Sequence, residues 1–304
     1  MKVPLFVKLR FVQKISALWN QSDTARDAGI PDPEGIRLTA DIPYAQCMDA
    51  KDNTTNLTDI YYPAGEELQA YPTIINIHGG GWFYGNKQIY STYAKFLAGQ
   101  GFAVVNFNYR LAPRNTYPAA FEDVCILMEF IGKNADKYHL DLSRMYMVGD
   151  SAGAHLLTQY SIFISSEAYR NLFPEFHFEA LPKPQRIALN CGVYELDETR
   201  KQGSADLYLP NKLTTQQSES AFRMLNYLNA DFPRCFLMTC VNDGLYPQTQ
   251  MMKERLTENN IPFVYREYGQ GTQDNHVFHL NLRSDEGKRC NSNEIAFFLD
   301  ILPS

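Results

Sequence analysis

The chain has 304 residues and a formal net charge of −6 at pH 7, and 45% of its residues are hydrophobic. The length is normal for one doubly wound domain with a small cap, and the acidic balance argues against nucleic acid or another polyanion as a partner. Six cysteines without Cys-x-x-Cys or Cys/His ligand spacing predict neither a zinc site nor a disulfide framework, and they favour a reducing, cytoplasmic compartment.

The N-terminal segment, residues 2–19, predicts a helix. Lys8, Arg10 and Lys14 interrupt its apolar residues, so it lacks the continuous apolar region of a signal peptide. No membrane span is expected, because the sequence contains no run of about eighteen apolar residues. One helical face collects the residues Leu5, Leu9, Val12, Ser16 and Trp19. Three interpretations remain open: a helix packed on the body, a cap helix over an active site, and a helix at a membrane surface.

Glycine and proline mark Ser22–Gly35 as a linker, after which predicted strands and helices alternate. The strands are predicted at Ile36–Ile42, Leu57–Tyr62, Thr73–Ile77, Ala103–Asn108, Met145–Val148, Arg186–Asn190, Cys235–Val241 and Phe263–Tyr268. The helices are predicted at Ile89–Ala98, Pro118–Lys137, Ala152–Ser165, Ser218–Leu228, Pro247–Glu258 and Lys288–Leu302. This alternation predicts the α/β class, with a mostly parallel, doubly wound sheet of about eight strands. The first two strands lack an intervening helix and are expected to form an antiparallel edge.

Three consecutive glycines follow the third strand in His78-Gly79-Gly80-Gly81-Trp82. They prevent a strand or helix from continuing and leave backbone N–H groups able to face a ligand. In acyl transfer such groups form an oxyanion hole, which binds the charge that develops on the carbonyl oxygen. The predicted donors are the N–H groups of Gly80 and Gly81, together with that of Ala152. A phosphate-binding loop is the alternative, but no Gly-Lys-Ser/Thr follows.

The stretch Gly149-Asp150-Ser151-Ala152-Gly153 lies between a predicted strand and a predicted helix. A serine with glycines two residues before and after it, in that position, has the form of a nucleophile elbow. The turn strains the serine backbone, and only small flanking residues let the strand and the helix pack so closely. Ser151 is therefore the predicted nucleophile.

A nucleophilic serine requires a base, for which six histidines are available. His276 follows the last predicted strand in a loop from which it can reach the serine. His279, at the start of the next apolar stretch, is the alternative. His276 is the predicted base.

The acid that orients the base is expected between the serine and the histidine in chain order. Asp243 turns the chain at the end of the strand Cys235–Val241, so it is expected at the same edge of the sheet as the serine. A simple turn aspartate would also explain an Asp-Gly pair. Asp274 and Glu267 are the alternative acids.

The regular alternation of strands and helices breaks between Cys191 and Asn229. This break predicts an insertion that lies over the carboxyl ends of the strands. Residues 1–304 are thus expected to form a single domain, in which residues 1–35 and 192–229 are cap or lid elements. The last predicted helix is either part of the core or a homodimer face.

Three further stretches accompany the two glycine motifs: Asn108-Tyr109-Arg110-Leu111-Ala112-Pro113, Tyr117–Val124 and Asp141-Leu142-Ser143-Arg144. Together these residues resemble the hormone-sensitive-lipase-like branch of the α/β-hydrolases, from about Asp41 to the end of the chain. The match is looser at Asp243-Gly244-Leu245, where the family often has Asp-Pro-Leu. The resemblance implies an α/β-hydrolase fold with a small helical cap and an activity of the short-chain carboxylesterase or acetyl esterase type.

The expected activity is therefore that of a serine carboxylic-ester hydrolase, which cleaves short-chain, acetyl-like small-molecule esters through an acyl-serine. It needs neither a metal nor an organic cofactor. Four aromatic residues near the motifs, Trp82, Phe83, Tyr84 and Tyr109, predict a modest pocket rather than a long acyl tunnel. Aryl-formamide hydrolysis, carbohydrate deacetylation, a lipid-interface enzyme and a non-catalytic binding protein on the same scaffold are the alternatives.

Overall fold

One eight-stranded sheet organises the chain, for which the computed structural model describes residues 3–46, 54–65, 70–196 and 203–302. The strands are β1 Arg37–Pro43, β2 Leu57–Tyr62, β3 Tyr71–Ile77, β4 Ala103–Phe107, β5 Leu140–Asp150, β6 Arg186–Asn190, β7 Arg234–Cys240 and β8 Phe263–Tyr268. They lie in the spatial order β1-β2-β4-β3-β5-β6-β7-β8. β2 is antiparallel to both β1 and β4, and the other neighbouring pairs are parallel. The predicted α/β class and the antiparallel edge are confirmed.

Helices cover both faces of this sheet. They are α1 Leu5–Asp27, α2 Ser91–Gly99, α3 Ala119–Asn134, α4 Ala152–Ser165, α5 Glu167–Arg170, α6 Ser204–Tyr208, α7 Thr215–Phe222, α8 Tyr246–Glu258 and α9 Asp285–Phe298. Successive residues of a strand point to opposite faces. Ile75 and Val105 accordingly join the apolar cluster that contains α3 and α4, whereas Ile74 and Val104 join the cluster that contains α2 and α9. Burial on both faces explains why the central strands are almost entirely apolar.

Some predicted helix ends are wrong. α1 continues to Asp27, so the predicted linker Ser22–Gly35 is helical in its first six positions. Its last turn is stabilised by Arg26, which forms ion pairs with Asp23 at 2.8 Å and Asp27 at 2.7 Å. The C-terminal helix begins three residues earlier than predicted and ends at Phe298, which is buried in the core.

The segment between β6 and β7 also differs from the prediction. Instead of one helix at Ser218–Leu228, α7 ends at Phe222 and a 3₁₀ turn follows at Met224–Tyr227. α7 begins earlier because Thr214 and Gln217 form a reciprocal capping box. The short helix α6 was not predicted, and residues 197–202 of the predicted cap segment 192–229 lie outside the described residues.

A buried ion pair joins the antiparallel edge of the sheet to the loop between β3 and α2, which contains Lys87. The Nζ atom of Lys87 lies 2.6 Å from Asp59 on β2 and 2.8 Å from Asp41 on β1. The side chains of Lys87 and Asp59 are only 2% and 7% exposed. We expect Lys87→Met to lower the free energy of unfolding by about 3–5 kcal/mol, because it leaves the Asp59 carboxylate buried without its cation.

Lys95→Met is the matched control for this substitution. Lys95 also forms a 2.6 Å ion pair, with Asp32, but the two side chains are 26% and 63% exposed. An exposed pair contributes about 0–1 kcal/mol. Urea denaturation followed by circular dichroism measures both variants, and equal losses in the two would contradict the importance of burial.

Candidate active site

Ser151 lies at the sharp turn between β5 and α4, with backbone angles of φ 51° and ψ −115°. The strained serine predicted from the sequence is therefore present. The glycines around it permit the close approach of the two elements. A Cβ atom on Gly153 would overlap the carbonyl oxygen of Ile77 on β3, and one on Gly149 would lie 2.6 Å from the carbonyl oxygen of Gly153. The side chain of Ser151 is thereby held above the carboxyl edge of the sheet.

The predicted nucleophile, base and acid lie together in one chain of hydrogen bonds. The Nε2 atom of His276 lies 3.0 Å from the Oγ atom of Ser151, and its Nδ1 atom lies 2.9 Å from the Oδ2 atom of Asp243. Ser151 follows β5, Asp243 follows β7 and His276 follows β8, so all three side chains come from the carboxyl ends of parallel strands at one edge of the sheet. With Nδ1 donating to the carboxylate, Nε2 is the nitrogen that accepts the serine proton.

The surroundings of Asp243 favour its ionised form. Burial raises the pKa of this carboxyl group, but the hydrogen bond and the charge of His276 lower it more, together with the N–H of Leu245. The net result is a pKa below the ordinary value. Since the Leu245 N–H donates to Oδ1 at 2.7 Å and His276 contacts Oδ2, both carboxylate oxygens are engaged.

Cys191, which follows β6 and has a φ of 48°, is a site residue that sequence reasoning missed. Its thiol, the Asp243 carboxylate and the His276 ring have ligand-type atoms within 4.8 Å of one another. A metal ion held there would have to compete for groups that already form the hydrogen-bond chain to Ser151. The thiol is better explained as a polar neighbour that helps to lower the pKa of Asp243. No sequence motif surrounds Cys191, so only its position after a central strand hinted at this placement.

The glycine loop adopts backbone conformations that suit glycine, with a φ of 111° at Gly80 and 58° at Gly81. The Gly79 N–H donates to the hydroxyl of Tyr90 at 2.9 Å and is therefore occupied. In the described part of the chain, no acceptor pairs with the N–H groups of Gly80, Gly81 or Ala152. These are the three groups that the sequence predicted as oxyanion donors, and Gly80 lines the same cavity as Ser151.

The alternative base and the other core histidines are placed elsewhere. His279 is fully buried, burial lowers its pKa to about 3, and neither ring nitrogen has a hydrogen-bond partner among the described residues. His155 is also fully buried: burial lowers its pKa to about 3, and its ring nitrogens have no hydrogen-bond partner among the described residues. His78 stacks on Tyr109 with 4.1 Å between ring centroids, and burial lowers its pKa to about 4. These rings are neutral packing groups, so the geometry favours His276 as the base.

The alternative acids are engaged in other contacts. The carboxylate of Glu267 accepts hydrogen bonds from the hydroxyl groups of Tyr246 at 2.7 Å and Tyr265 at 2.8 Å. The contacts of Asp274 are made by its backbone, whose carbonyl oxygen accepts from Asn242 at 2.9 Å. Asp243 is thus the carboxylate that contacts the imidazole.

A cavity of about 220 Å³ opens beside Ser151 and His276. One wall of the cavity comes from α1, and a cap helix over the site was one of the three interpretations of this segment in the sequence. Four α1 residues line it, namely Trp19, Ser22, Asp23 and Arg26. Trp19 packs on Phe83 and Tyr84 with ring centroids 5.1 and 5.4 Å apart. The Tyr84 hydroxyl donates to Asp23 at 2.7 Å, which ties α1 to the glycine loop.

The aromatic residues of the glycine motif divide between cavity and core. Tyr84 lines the cavity. Trp82 instead is buried and stacks on Tyr208 of α6, with ring centroids 4.6 Å apart. Tyr109 is buried against His78. Of the four aromatic residues that predicted a modest pocket, Tyr84 is therefore the one that lines this cavity, while α6 and the core cover Trp82 and Tyr109.

Two buried carboxyl groups lie behind the elbow. Asp150 accepts a hydrogen bond from Tyr90 at 2.8 Å, and Glu294 of α9 accepts from Tyr93 at 2.8 Å and Asn190 at 2.6 Å. Burial raises the pKa of Asp150 to about 6 and that of Glu294 to about 7, although these hydrogen bonds oppose the rise. Both groups therefore hold protons in the folded protein at a pH where the unfolded chain has lost them.

We expect Glu294→Gln to flatten the pH dependence of stability between pH 4.5 and about 7. In this window the folded state binds more protons than the unfolded state, so the free energy of unfolding falls as the pH rises. Glutamine stays neutral, and a flip of the Asn190 amide, whose Oδ1 has no partner among the described residues, accommodates the new N–H group.

Urea denaturation of wild type and variant across this pH range tests the expectation. Asp150 contributes in the same direction, so a smaller slope remains in the variant. Glu258→Gln, on the exposed end of α8, is the control and should keep the wild-type slope. An unchanged slope in Glu294→Gln would show that Glu294 does not titrate in this range.

Comparison with known proteins points to one family. Residues 58–256 match the family described as BD-FAE. The acetyl esterase of Salmonella choleraesuis (strain SC-B67) is 27% identical over 271 residues, which are 82% of this chain and 73% of that protein. Within the described residues, no helix has the length and apolar character needed to cross a membrane.

Solved esterase structures share the fold. Esterase B from Lactobacillus rhamnosis, inhibited by a C4-C4 SN3 tributyrin phosphonate, is 25% identical with a TM-score of 0.84, covering 98% of this chain and 96% of that one. A hyperthermophilic esterase from the archaeon Pyrobaculum calidifontis is 19% identical with a TM-score of 0.75, covering 95% and 91%. The second likeness concerns the fold alone.

Proposed function

The chain belongs to the BD-FAE family, which is of the α/β-hydrolase type, and is a serine ester hydrolase; we propose that it cleaves short-chain acyl esters with Ser151, His276 and Asp243. The observation that carries this proposal is the hydrogen-bond chain of 3.0 Å and 2.9 Å through the His276 ring. A strained serine whose Oγ contacts an oriented imidazole is the arrangement that activates a hydroxyl for nucleophilic attack.

In the proposed reaction, Ser151 Oγ attacks the acyl carbonyl carbon while His276 Nε2 accepts the hydroxyl proton. Asp243 holds the ring in this orientation and stabilises the imidazolium that forms. The tetrahedral oxyanion accepts hydrogen bonds from the N–H groups of Gly80, Gly81 and Ala152, each worth about 2.7–4 kcal/mol in comparable enzymes. His276 then protonates the departing alcohol, leaving an acyl-serine.

Water completes the cycle in the same way. His276 accepts a proton from the water as its oxygen attacks the acyl-serine, and the proton then passes to Ser151 Oγ as the acid leaves. All groups in this sequence belong to the chain or to the substrate and water. The proposal therefore includes no metal and no organic cofactor.

The size of the cavity supports a small acyl group. At about 220 Å³, it lies below the range of about 300–1,000 Å³ typical of sites for larger ligands. Trp19 and Tyr84 line the cavity and pack on each other, which leaves little room for a long alkyl chain. The acetyl esterase relative agrees with this substrate class.

Hydrolysis of p-nitrophenyl esters from acetyl to palmitoyl tests the proposal. We expect kcat/KM to peak at two to four acyl carbons, about the chain length that the cavity admits. A peak at long chains would contradict the short-chain assignment. If the protein hydrolysed aryl-formamides but no ester, the proposed reaction would be replaced by formamide hydrolysis. If it hydrolysed neither, a non-catalytic binding protein would be the remaining alternative.

The cellular location and the assembly state are also proposals. We propose a cytoplasmic enzyme, which is supported by five buried free cysteines among the described residues. A homodimer through α9 stays a prediction. Phe297 and Phe298 of this helix are buried in the core, while Leu299 after it is exposed.

A further inference from the structure

Helix α1 carries most of the exposed large hydrophobic side chains in the described part of the chain. Seven of the ten lie within residues 3–19, and the others are Leu38, Leu299 and Ile301. Val7, Phe11 and Leu18 are 41%, 52% and 55% exposed. Their spacings of four and seven residues put them on one side of the helix, which we name the outer stripe.

An adjoining side of α1 faces the body of the protein, and Ile15, four residues after Phe11, lies at its border with the outer stripe. Val12 and Ile15 pack against the main core cluster, and Leu9 is also partly buried. This inner side attaches α1 to the protein without using the outer stripe. The helix is therefore apolar on two sides, and only one of them contacts the rest of the described chain.

The outer side of α1 is also positively charged. Arg10 and Lys14 are exposed and lie three residues after Val7 and Phe11, beside the outer stripe. Neither forms an ion pair with another residue in the described ranges. The acidic residues of α1, Asp23 and Asp27, are both paired with Arg26. A basic, apolar face thus stands out on a chain whose net charge is −6.

We propose that the outer stripe of α1 docks on an anionic lipid surface. A basic face with exposed phenylalanine and leucine fits such a surface, because the apolar side chains enter the headgroup region while the cations meet lipid phosphates. A second copy of the chain fits less well, since pairing two outer stripes brings Arg10 and Lys14 close to their own copies. Charge complementarity therefore selects the lipid. The helix lies along the surface, with its inner side still on the protein.

Docking in this way places the cavity close to the lipid. The inner side of α1 supplies Trp19 and Asp23 to the cavity wall, and a helix with its side chains is only about 10–12 Å across. The C-terminal end of α1 is held by Arg283, whose guanidinium donates to the carbonyl oxygens of Ala28 at 2.9 Å and of Arg26.

Co-sedimentation with vesicles tests the proposal directly. Wild-type protein should sediment with vesicles of equal phosphatidylcholine and phosphatidylglycerol, and much less with pure phosphatidylcholine or at high salt. Phe11→Ser/Leu18→Ser should weaken the partition coefficient by at least about tenfold, because it removes the apolar groups that enter the lipid. Arg10→Gln/Lys14→Gln should weaken it by about fivefold per charge.

The matched control is Leu38→Ser/Leu299→Ser, which removes two side chains of similar exposure outside α1. It should sediment as wild type does. Hydrolysis of p-nitrophenyl acetate in solution should be unchanged in all variants, which establishes that they are folded. Because sedimentation does not depend on catalysis, a failure of the proposed function leaves this test intact.

Three results would overturn the proposal. The first is absence of sedimentation with anionic vesicles, and the second is sedimentation that the outer-stripe variant retains. The third is a concentration-dependent dimer in size-exclusion chromatography that Phe11→Ser/Leu18→Ser abolishes. That result would assign the outer stripe to a second copy of the chain.

Discussion

Ser151→Ala is expected to lower kcat/KM for p-nitrophenyl acetate by about 10⁴–10⁶-fold while the protein stays folded. The Oγ atom is the only group removed, and its contact is the 3.0 Å hydrogen bond to His276. Alanine at a φ of 51° is as strained as serine, so the elbow itself gains no new cost. A stopped assay at high enzyme concentration measures the residual rate, and thermal denaturation checks the fold.

Ser161→Ala is the control for the nucleophile variant. Ser161 lies on the same helix α4, is fully buried, and its Oγ atom has no hydrogen-bond partner among the described residues. Its removal should leave kcat/KM within about twofold, as for a substitution away from the reacting groups. If Ser151→Ala kept more than about a tenth of the activity, Ser151 would lose its proposed role.

Asp243→Asn should have the next largest effect, a loss of about 10⁴-fold in kcat. Asparagine presents an N–H group toward His276 Nδ1 and so favours the tautomer in which Nε2 carries the proton. That tautomer cannot accept the proton of Ser151. The 2.7 Å hydrogen bond from the Leu245 N–H can be kept by the amide oxygen, so the turn after β7 should fold as in the wild type.

Asp274→Asn separates the proposed acid from its alternative in the sequence. Asp274 is two residues from His276, but its hydrogen bonds to other described residues use its backbone O and N–H groups. Its substitution should change kcat by less than about twofold. Steady-state kinetics at neutral pH compares the two variants, and equal losses would mean that Asp243 does not act as the orienting acid.

The catalytic variants and the vesicle experiment test different parts of the molecule. The inner face closes the cavity through Trp19, whereas the outer stripe points to solvent. Loss of hydrolysis with intact vesicle binding would locate the fault at Ser151 or its partners. Loss of vesicle binding with intact hydrolysis in Phe11→Ser/Leu18→Ser would show that these two side chains serve lipid binding and not catalysis.

The sequence by itself was enough to predict the nucleophile elbow, the glycine loop and the strands after which Asp243 and His276 lie. Glycines at positions 149 and 153 are required because a Cβ atom at either site would collide with backbone. Parallel strands present their carboxyl ends at one edge, so Asp243 and His276 could be placed beside Ser151 from chain order and resemblance. Each of these inferences depends on a few adjacent residues or on a rule of topology.

Contacts between distant segments were decided by the tertiary structure alone. Glu294 meets Tyr93 across 201 residues, and Cys191 approaches Asp243 only because β6 and β7 are neighbours. α1 has apolar residues on two sides, so its periodicity alone did not reveal that Trp19 would face the cavity while Phe11 faces solvent. Such choices depend on packing between surfaces that are far apart in sequence, and local propensity carries no information about which surfaces will meet.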